Sequence, residues 1–176
     1  IDPADTDKKL INFISKSSKV CPSFHISLQS AEDGVLREMR RRYKVGEFEE
    51  IINDIRFKIP DSCIGTDIIA GFPGESEESF NETFNFLEKS ELNYFHVFPY
   101  SDRKGTRATQ RDDKIPTNVK YQRSKLLRSL SDNKKEEFYS RFIGKELEAI
   151  VEKNNKARTR NYIDVSLDGE YLVPGS

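Results

Sequence analysis

Two hydrophobic periods alternate along the chain, and their changeovers divide it into elements. Leu10, Ile11, Phe13 and Ile14 recur at helical spacing within Asp5 to Lys16, with Asp5 or Thr6 placed to cap the segment. Val20 to Leu28 then sets Phe24, Ile26 and Leu28 on one side, as a strand does. Helical spacing returns from Glu32 through Val35, Leu36 and Met39, and after Tyr43 through Phe48, Ile51, Ile52, Ile55 and Phe57, until Pro60 stops it. Ile64 to Ala70 reads as a strand, Ser76 to Lys89 as a helix carrying Phe80, Phe84, Phe86 and Leu87, and Tyr94 to Tyr100 as a strand broken by Pro99. The order helix, strand, helix, strand, helix, strand calls for right-handed crossovers and a parallel sheet, hence an α/β fold. Such a sheet is too short to close as a barrel and leaves an apolar edge, so further strands are expected to precede Ile1.

Ser101 to Thr117 is polar, basic and loop-like, and Val119 to Phe142 forms a long charged helix with Leu126, Leu127, Leu130, Phe138 and Phe142 as its apolar stripe. Beyond Gly144 the period falls to two, in Leu147, Ala149 and Val151 and again in Tyr162 to Leu167, around a basic loop from Lys153 to Arg160. A boundary near Ile143 is expected, with residues 1–143 as the α/β unit and its trailing helix and 144–176 as the start of a small antiparallel β module.

Charge changes the picture little, because 29 basic against 30 acidic residues leave a net charge of -1 and confine any polyanion binding to local clusters. Cys21 and Cys63 are too far apart for a CxxC site and read as small buried hydrophobes, and His25 and His96 read as satisfied strand residues, so no metal site is expected. No apolar run approaches the ~18 residues of a membrane span and no signal-peptide pattern opens the chain, which points to a cytoplasmic location without membrane partners.

The candidate chemistry begins at Thr66 to Glu75, where an apolar strand, read as buried on both faces, empties into a Gly/Pro turn. Gly71 and Gly74 suit positive φ, Pro73 fixes the turn between them, and Ser76 is placed to cap the acidic helix that follows. Glycines here leave backbone groups open to a ligand at the carboxyl end of the strand, although an ordinary tight β–α turn has the same composition.

Four segments in fixed order carry a resemblance: FHISLQS (Phe24 to Ser30), MRRRY (Met39 to Tyr43), TDIIAGFPGE (Thr66 to Glu75) and HVFPYSDRKGT (His96 to Thr106). With them the chain resembles the C-terminal half of the radical S-adenosylmethionine (SAM) methylthiotransferases, most closely the tRNA branch that acts on threonylcarbamoyladenosine. The resemblance implies the second half of a partial (βα)6, TIM-like radical-SAM barrel, followed by the start of a TRAM domain, a small RNA-binding β barrel. It also implies 4Fe–4S clusters held by cysteines in a preceding N-terminal part, so that this piece alone lacks the thiolates for catalysis.

For SAM, the resemblance implies contacts from Gln29, Ser30, Arg41, Asp67, Tyr100 and Ser101, and from a turn of Gly71, Phe72, Gly74 and Glu75 whose backbone passes close to the cofactor. Arg41, within the run Arg40 to Arg42, fits the family's M-x-R pattern. For a tRNA anticodon stem-loop it implies Arg103 and Arg107 beside the rim, and Lys156, Arg158, Arg160 and Tyr162, with Lys153, on the β module. The intact enzyme would add a methylthio group to C2 of the modified adenosine next to the anticodon. Two alternatives remain open: a methylthiotransferase acting on an aspartate of a ribosomal protein, and a non-catalytic RNA-binding module.

Overall fold

The computed structural model describes residues 1–152, 155–168 and 175, so Lys153 lies outside the described residues. Strands β1 (Ser23–His25), β2 (Cys63–Ala70) and β3 (Tyr94–Pro99) form a parallel sheet in that order, and β4 (Ala149–Val151), β5 (Lys156–Thr159) and β6 (Asp164–Ser166) an antiparallel one. The helices are α1 (Lys8–Lys16), α2 (Asp33–Glu38), α3 (Val45–Lys58), α4 (Glu77–Lys89) and α5 (Thr117–Ser140).

The two-residue period of the parallel strands sorts their side chains. Phe24, Ile26, Leu28, Ile64, Ile68, Ala70, Phe95 and Val97 are buried in one core with Phe48, Ile52 and Ile55 of α3, Phe80 and Leu87 of α4 and Leu127 of α5. The opposite face carries Asp67, Ile69 and Tyr94, partly exposed, and His96 and Phe98, exposed. Gly65 on this second face is still buried, but Asp67 and Ile69 beyond it are partly exposed, so the strand Ile64 to Ala70 is not buried on both faces along its whole length, against expectation.

Several boundaries shift for identifiable reasons. Pro3 opens a 3-10 turn, Pro3–Asp5, which moves the cap of α1 to Asp7, whose Oδ1 accepts from the Leu10 N–H at 2.8 Å. Regular strand ends at His25 because Thr66 takes over the ladder: its hydroxyl donates to the Ile26 carbonyl at 2.6 Å and accepts from the Leu28 N–H at 2.9 Å. Backbone pairing resumes at Gln29, which accepts from Ile69 N–H at 2.9 Å. Phe57 and Leu126, expected in apolar stripes, are 84% and 54% exposed. Cys63 is buried as expected, but Cys21 is exposed.

The basic stretch expected as a loop contains β5, the middle strand of the second sheet. The packing is not interrupted near Ile143: Phe138 and Phe142 cluster with Cys63 and with Ile163 of the module. Asn161 Nδ2 donates to the Asp61 carbonyl at 3.1 Å, and Arg160 Nη2 to the Ser18 carbonyl at 2.5 Å.

Burial of weak acids sets an alkaline limit. Desolvation pushes Tyr43 and Tyr94 up from 10.0 to about 12, and Cys63 up from 9.0 to about 11. As pH rises, the unfolded chain releases these protons first, so stability is fully present below the unfolded values and falls as pH climbs toward the folded ones. Urea-unfolding midpoints are expected to drop between about pH 9 and about pH 12, and Tyr43→Phe to shallow that drop while losing the hydroxyl's bonds to the Ser27 and Leu28 carbonyls at 2.8 and 3.0 Å.

Candidate functional site

Every βα connection of the parallel sheet leaves from the carboxyl ends of the strands, and the Thr66 to Glu75 run shows how one is held. Gly71 and Gly74 have φ of 77° and 84°, in the left-handed region where a side chain is strained. A Cβ on Gly71 would lie 2.2 Å from Lys120 Cγ, and one on Gly74 2.6 Å from Arg111 Nη2. Both glycines thus allow the turn to lie against α5 and the segment before it.

Glu75 closes the turn from inside. Its Oε2 accepts from the Gly71 N–H at 2.8 Å and from Arg123 Nη1 at 2.7 Å, and Arg123 also donates to the Glu75 carbonyl at 2.9 Å. The Glu75 and Arg123 side chains are 2% and 7% exposed. Burial pushes the Glu75 carboxyl up from its ordinary value, against the lowering pull of Gly71 N–H and Arg123.

Beside this turn a cavity of about 580 Å³ is lined by Met39, Arg40, Arg41, Ile69, Phe72, Tyr100, Ser101, Arg103, Thr106, Arg107 and Ala108, among others. The Phe72 and Tyr100 rings meet edge to face at 5.4 Å. Arg40 is held at φ 60°, backbone strain at the cavity wall. Neighbouring cations are already satisfied: Arg111 pairs with Asp113 and Glu38, and Lys114 with Asp102 at 2.7 Å. Arg40, Arg103 and Arg107 form no ion pair among the described residues, and Arg41 only approaches Asp2 at 4.0 Å. Four guanidiniums around an aromatic and aliphatic floor suit a small ligand with a flat ring and a carboxylate or phosphate, in a volume typical of such sites.

The Radical SAM superfamily profile matches residues 2–87, which include β1, β2 and the turn. The chain belongs to that superfamily. Within it the chain is closely related to the tRNA methylthiotransferases. It is 44% identical over 165 residues to the threonylcarbamoyladenosine tRNA methylthiotransferase MtaB of Aquifex aeolicus, covering 94% of this chain and 40% of that protein. Identity is 40% over 175 residues to the tRNA-2-methylthio-N(6)-dimethylallyladenosine synthase of Corynebacterium diphtheriae, covering 97% of this chain and 34% of that protein. The chain thus spans well under half the length of these relatives. Among solved structures, coproporphyrinogen III oxidase (HemN) of Escherichia coli, a radical SAM enzyme, superposes with a TM-score of 0.63 at 17% identity, over 76% of this chain and 31% of that one. This likeness shows the α/β radical-SAM-like fold.

This cavity gathers Arg41, Phe72, Tyr100, Ser101, Arg103 and Arg107 from among the residues expected at the site. The others are placed elsewhere. Ser30 is 1% exposed and faces Thr83 of α4, Oγ to Oγ1 at 3.4 Å. Gln29 stands at the strand end with φ 74°, bridged to Ile68. Glu75, Gly71 and Gly74 turn toward α5, so the close backbone approach expected of the glycines is made to Lys120 and Arg111. Asp67 lies one pleat below the rim, against His25 at 2.9 Å and His96 at 3.6 Å, a grouping not anticipated for the two histidines.

On the β module Lys156 and Tyr162 are exposed, as an RNA contact requires. Arg158 instead pairs with Asp164 at 3.0 Å and Glu152 at 3.6 Å, and Arg160 is committed to the Ser18 and Val20 carbonyls at 2.5 and 3.3 Å. Met39, Ile69, Thr106 and Ala108 also line the cavity without having been singled out as site residues; Met39, Ile69 and Thr106 lie within the segments that carry the resemblance, whereas Ala108 lies outside all four.

Among the described residues no helix is long and apolar enough to cross a membrane.

Proposed function

We propose that this chain is the cofactor-rim part of a radical SAM tRNA methylthiotransferase, and that the intact protein adds a methylthio group to C2 of N6-threonylcarbamoyladenosine beside the anticodon. The observation that carries this reading is the arginine-lined cavity at the strand ends. It lies wholly within the 94% of the chain that aligns with the Aquifex enzyme.

The residues fit SAM. Phe72 and Tyr100 offer apolar surface to its adenine, and Arg41, half-buried, offers a fork to its carboxylate. When bound, SAM supplies the methyl group and, with a reduced 4Fe–4S cluster held by an N-terminal part, the radical chemistry. This chain's residues bind and orient it: Arg123 and Glu75 fix the turn that carries Phe72, and Lys120 Nζ holds the Tyr100 carbonyl at 3.1 Å. The exposed Arg103 and Arg107 stand where an RNA phosphate would reach the cavity mouth. Residues 144–176 would be the beginning of a TRAM-like module.

The test is nucleoside mass spectrometry of tRNA from cells lacking the complete reading frame. Loss of the 2-methylthio form of threonylcarbamoyladenosine, restored by the wild-type gene and not by Arg41→Ala, is the expected result. Loss from a dimethylallyl-type adenosine would assign the protein to the branch of the Corynebacterium relative, which is 40% identical. Unchanged tRNA with a lost methylthio group on a ribosomal protein would overturn the tRNA assignment.

A further inference from the structure

We propose that His25, Asp67 and His96 form a binding site for a divalent transition metal ion on the open face of the parallel sheet, separate from the SAM cavity and independent of that reading. Each ligand comes from a different strand. Asp67 and His96 are register partners on β2 and β3, and His25 stands opposite Gly65 on β1. His25 Nε2 lies 2.9 Å and His96 Nδ1 3.6 Å from Asp67 Oδ1, and the three ligand atoms all fall within 4.8 Å of one another. Ligands of a tetrahedral zinc ion, each at 2.0 to 2.1 Å, stand roughly 3.3 Å apart, so small side-chain rotations bring the set to coordination distance. His96, with 59% of its side chain exposed, is free to make the largest of them.

The surroundings are those of a metal site more than of a plain hydrogen-bonded triad. A metal-bound imidazole commonly engages an oxygen partner through its other nitrogen, which fixes tautomer and ring orientation. His25 Nδ1 has one in the Tyr94 hydroxyl at 3.2 Å, and the free Asp67 Oδ2 accepts from Ser27 Oγ at 3.3 Å. Gly65 serves this arrangement: a Cβ there would lie 2.2 Å from the Tyr94 ring, so only glycine lets the ring lean across β2 toward His25. Asp67 has no lysine or arginine partner among the described residues, and a divalent cation would supply the missing positive charge. Two imidazoles and one carboxylate suit zinc, iron(II), cobalt(II) or nickel(II) over calcium or magnesium, and leave coordination positions open toward the partly exposed face.

The test is titration of the 176-residue chain with Zn²⁺ by calorimetry and with Co²⁺ by visible absorption, alongside Asp67→Asn, His96→Ala and a Cys21→Ser/Cys63→Ser double variant. His96 is exposed and its removal leaves the core intact, which circular dichroism of the variant verifies. One equivalent of metal is expected, with affinity weakened about 10- to 100-fold or more in the Asp67 and His96 variants and unchanged in the cysteine variant. Absence of stoichiometric binding, binding equally tight in His96→Ala, or binding abolished in the cysteine variant would each overturn the site.

Discussion

Glu75→Ala is expected to destabilise the fold by about 3 to 5 kcal/mol, because it strands a buried guanidinium. Among the described residues Arg123 would keep only Glu77 as an anionic partner, at 3.1 Å, and Glu77 is 71% exposed. Among the described residues Arg123 Nε lacks a hydrogen-bond partner, so the guanidinium is held by the carboxylate, the Glu75 carbonyl and the Phe80 ring 5.0 Å away. For a domain of this size the loss corresponds to a fall in Tm of roughly 10 °C. The paired replacement Glu75→Gln/Arg123→Met is expected to recover much of it, since an amide still accepts from Gly71 N–H and no charge is left buried. Arg123→Met alone separates the roles through pH. The Glu75 carboxyl, already raised by burial, loses its pull toward ionisation, so its folded value stands further above the unfolded value of 4.5. Stability of that variant is therefore present below the unfolded value and lost as pH rises through it, more steeply than in wild type. Thermal melts across the carboxylate range check this; a flat difference between variant and wild type would show that Glu75 remains ionised without Arg123.

The same residues show what a sequence can and cannot disclose. Element order and the parallel sheet were legible because the shift between periods of two and 3.6 reports which face meets the core, and Ser76 caps α4 as the acidic run suggested, accepting from Ser79 N–H at 3.1 Å. Glu75 was recognisable as part of a motif, but not its direction, since that depends on Arg123, 48 positions away. Ser30 likewise looked like a rim contact until Thr83 supplied a buried partner from α4. His25 and His96 each read as an ordinary strand residue, and only the register with Asp67 makes them a cluster. Local chemistry survives translation into structure, whereas the partner of a charge is a long-range fact. Arg40 lines the cavity together with Arg41, within a continuous run from Glu38 to Arg41, although only Arg41 fits the family's M-x-R pattern.

Neutralising Arg103 and Arg107 together, as Arg103→Gln/Arg107→Gln in the complete protein, is expected to weaken tRNA binding by about tenfold or more and to flatten its salt dependence. Both side chains are exposed at the cavity mouth and neither forms an ion pair among the described residues, so each is available to displace a counterion from a phosphate. Two phosphate contacts on a single-stranded loop contribute about 1.4 to the slope of log affinity against log salt. Arg158 and Arg160 should behave differently although the sequence ranks them beside these two. Arg158 is neutralised by Asp164 and Glu152, and Arg160 spends its guanidinium on the Ser18 and Val20 carbonyls. Arg160→Gln is thus expected to leave the salt slope unchanged and to loosen the β module from the parallel sheet, read as faster proteolysis within residues 144–168. SAM affinity provides the internal control. Arg41 is half-buried within the cavity, so Arg41→Gln should weaken SAM with little change in the tRNA salt slope, the reverse of the mouth variant. A salt slope lowered by Arg160→Gln and untouched by Arg103→Gln/Arg107→Gln would move the RNA surface from the cavity mouth to the β module.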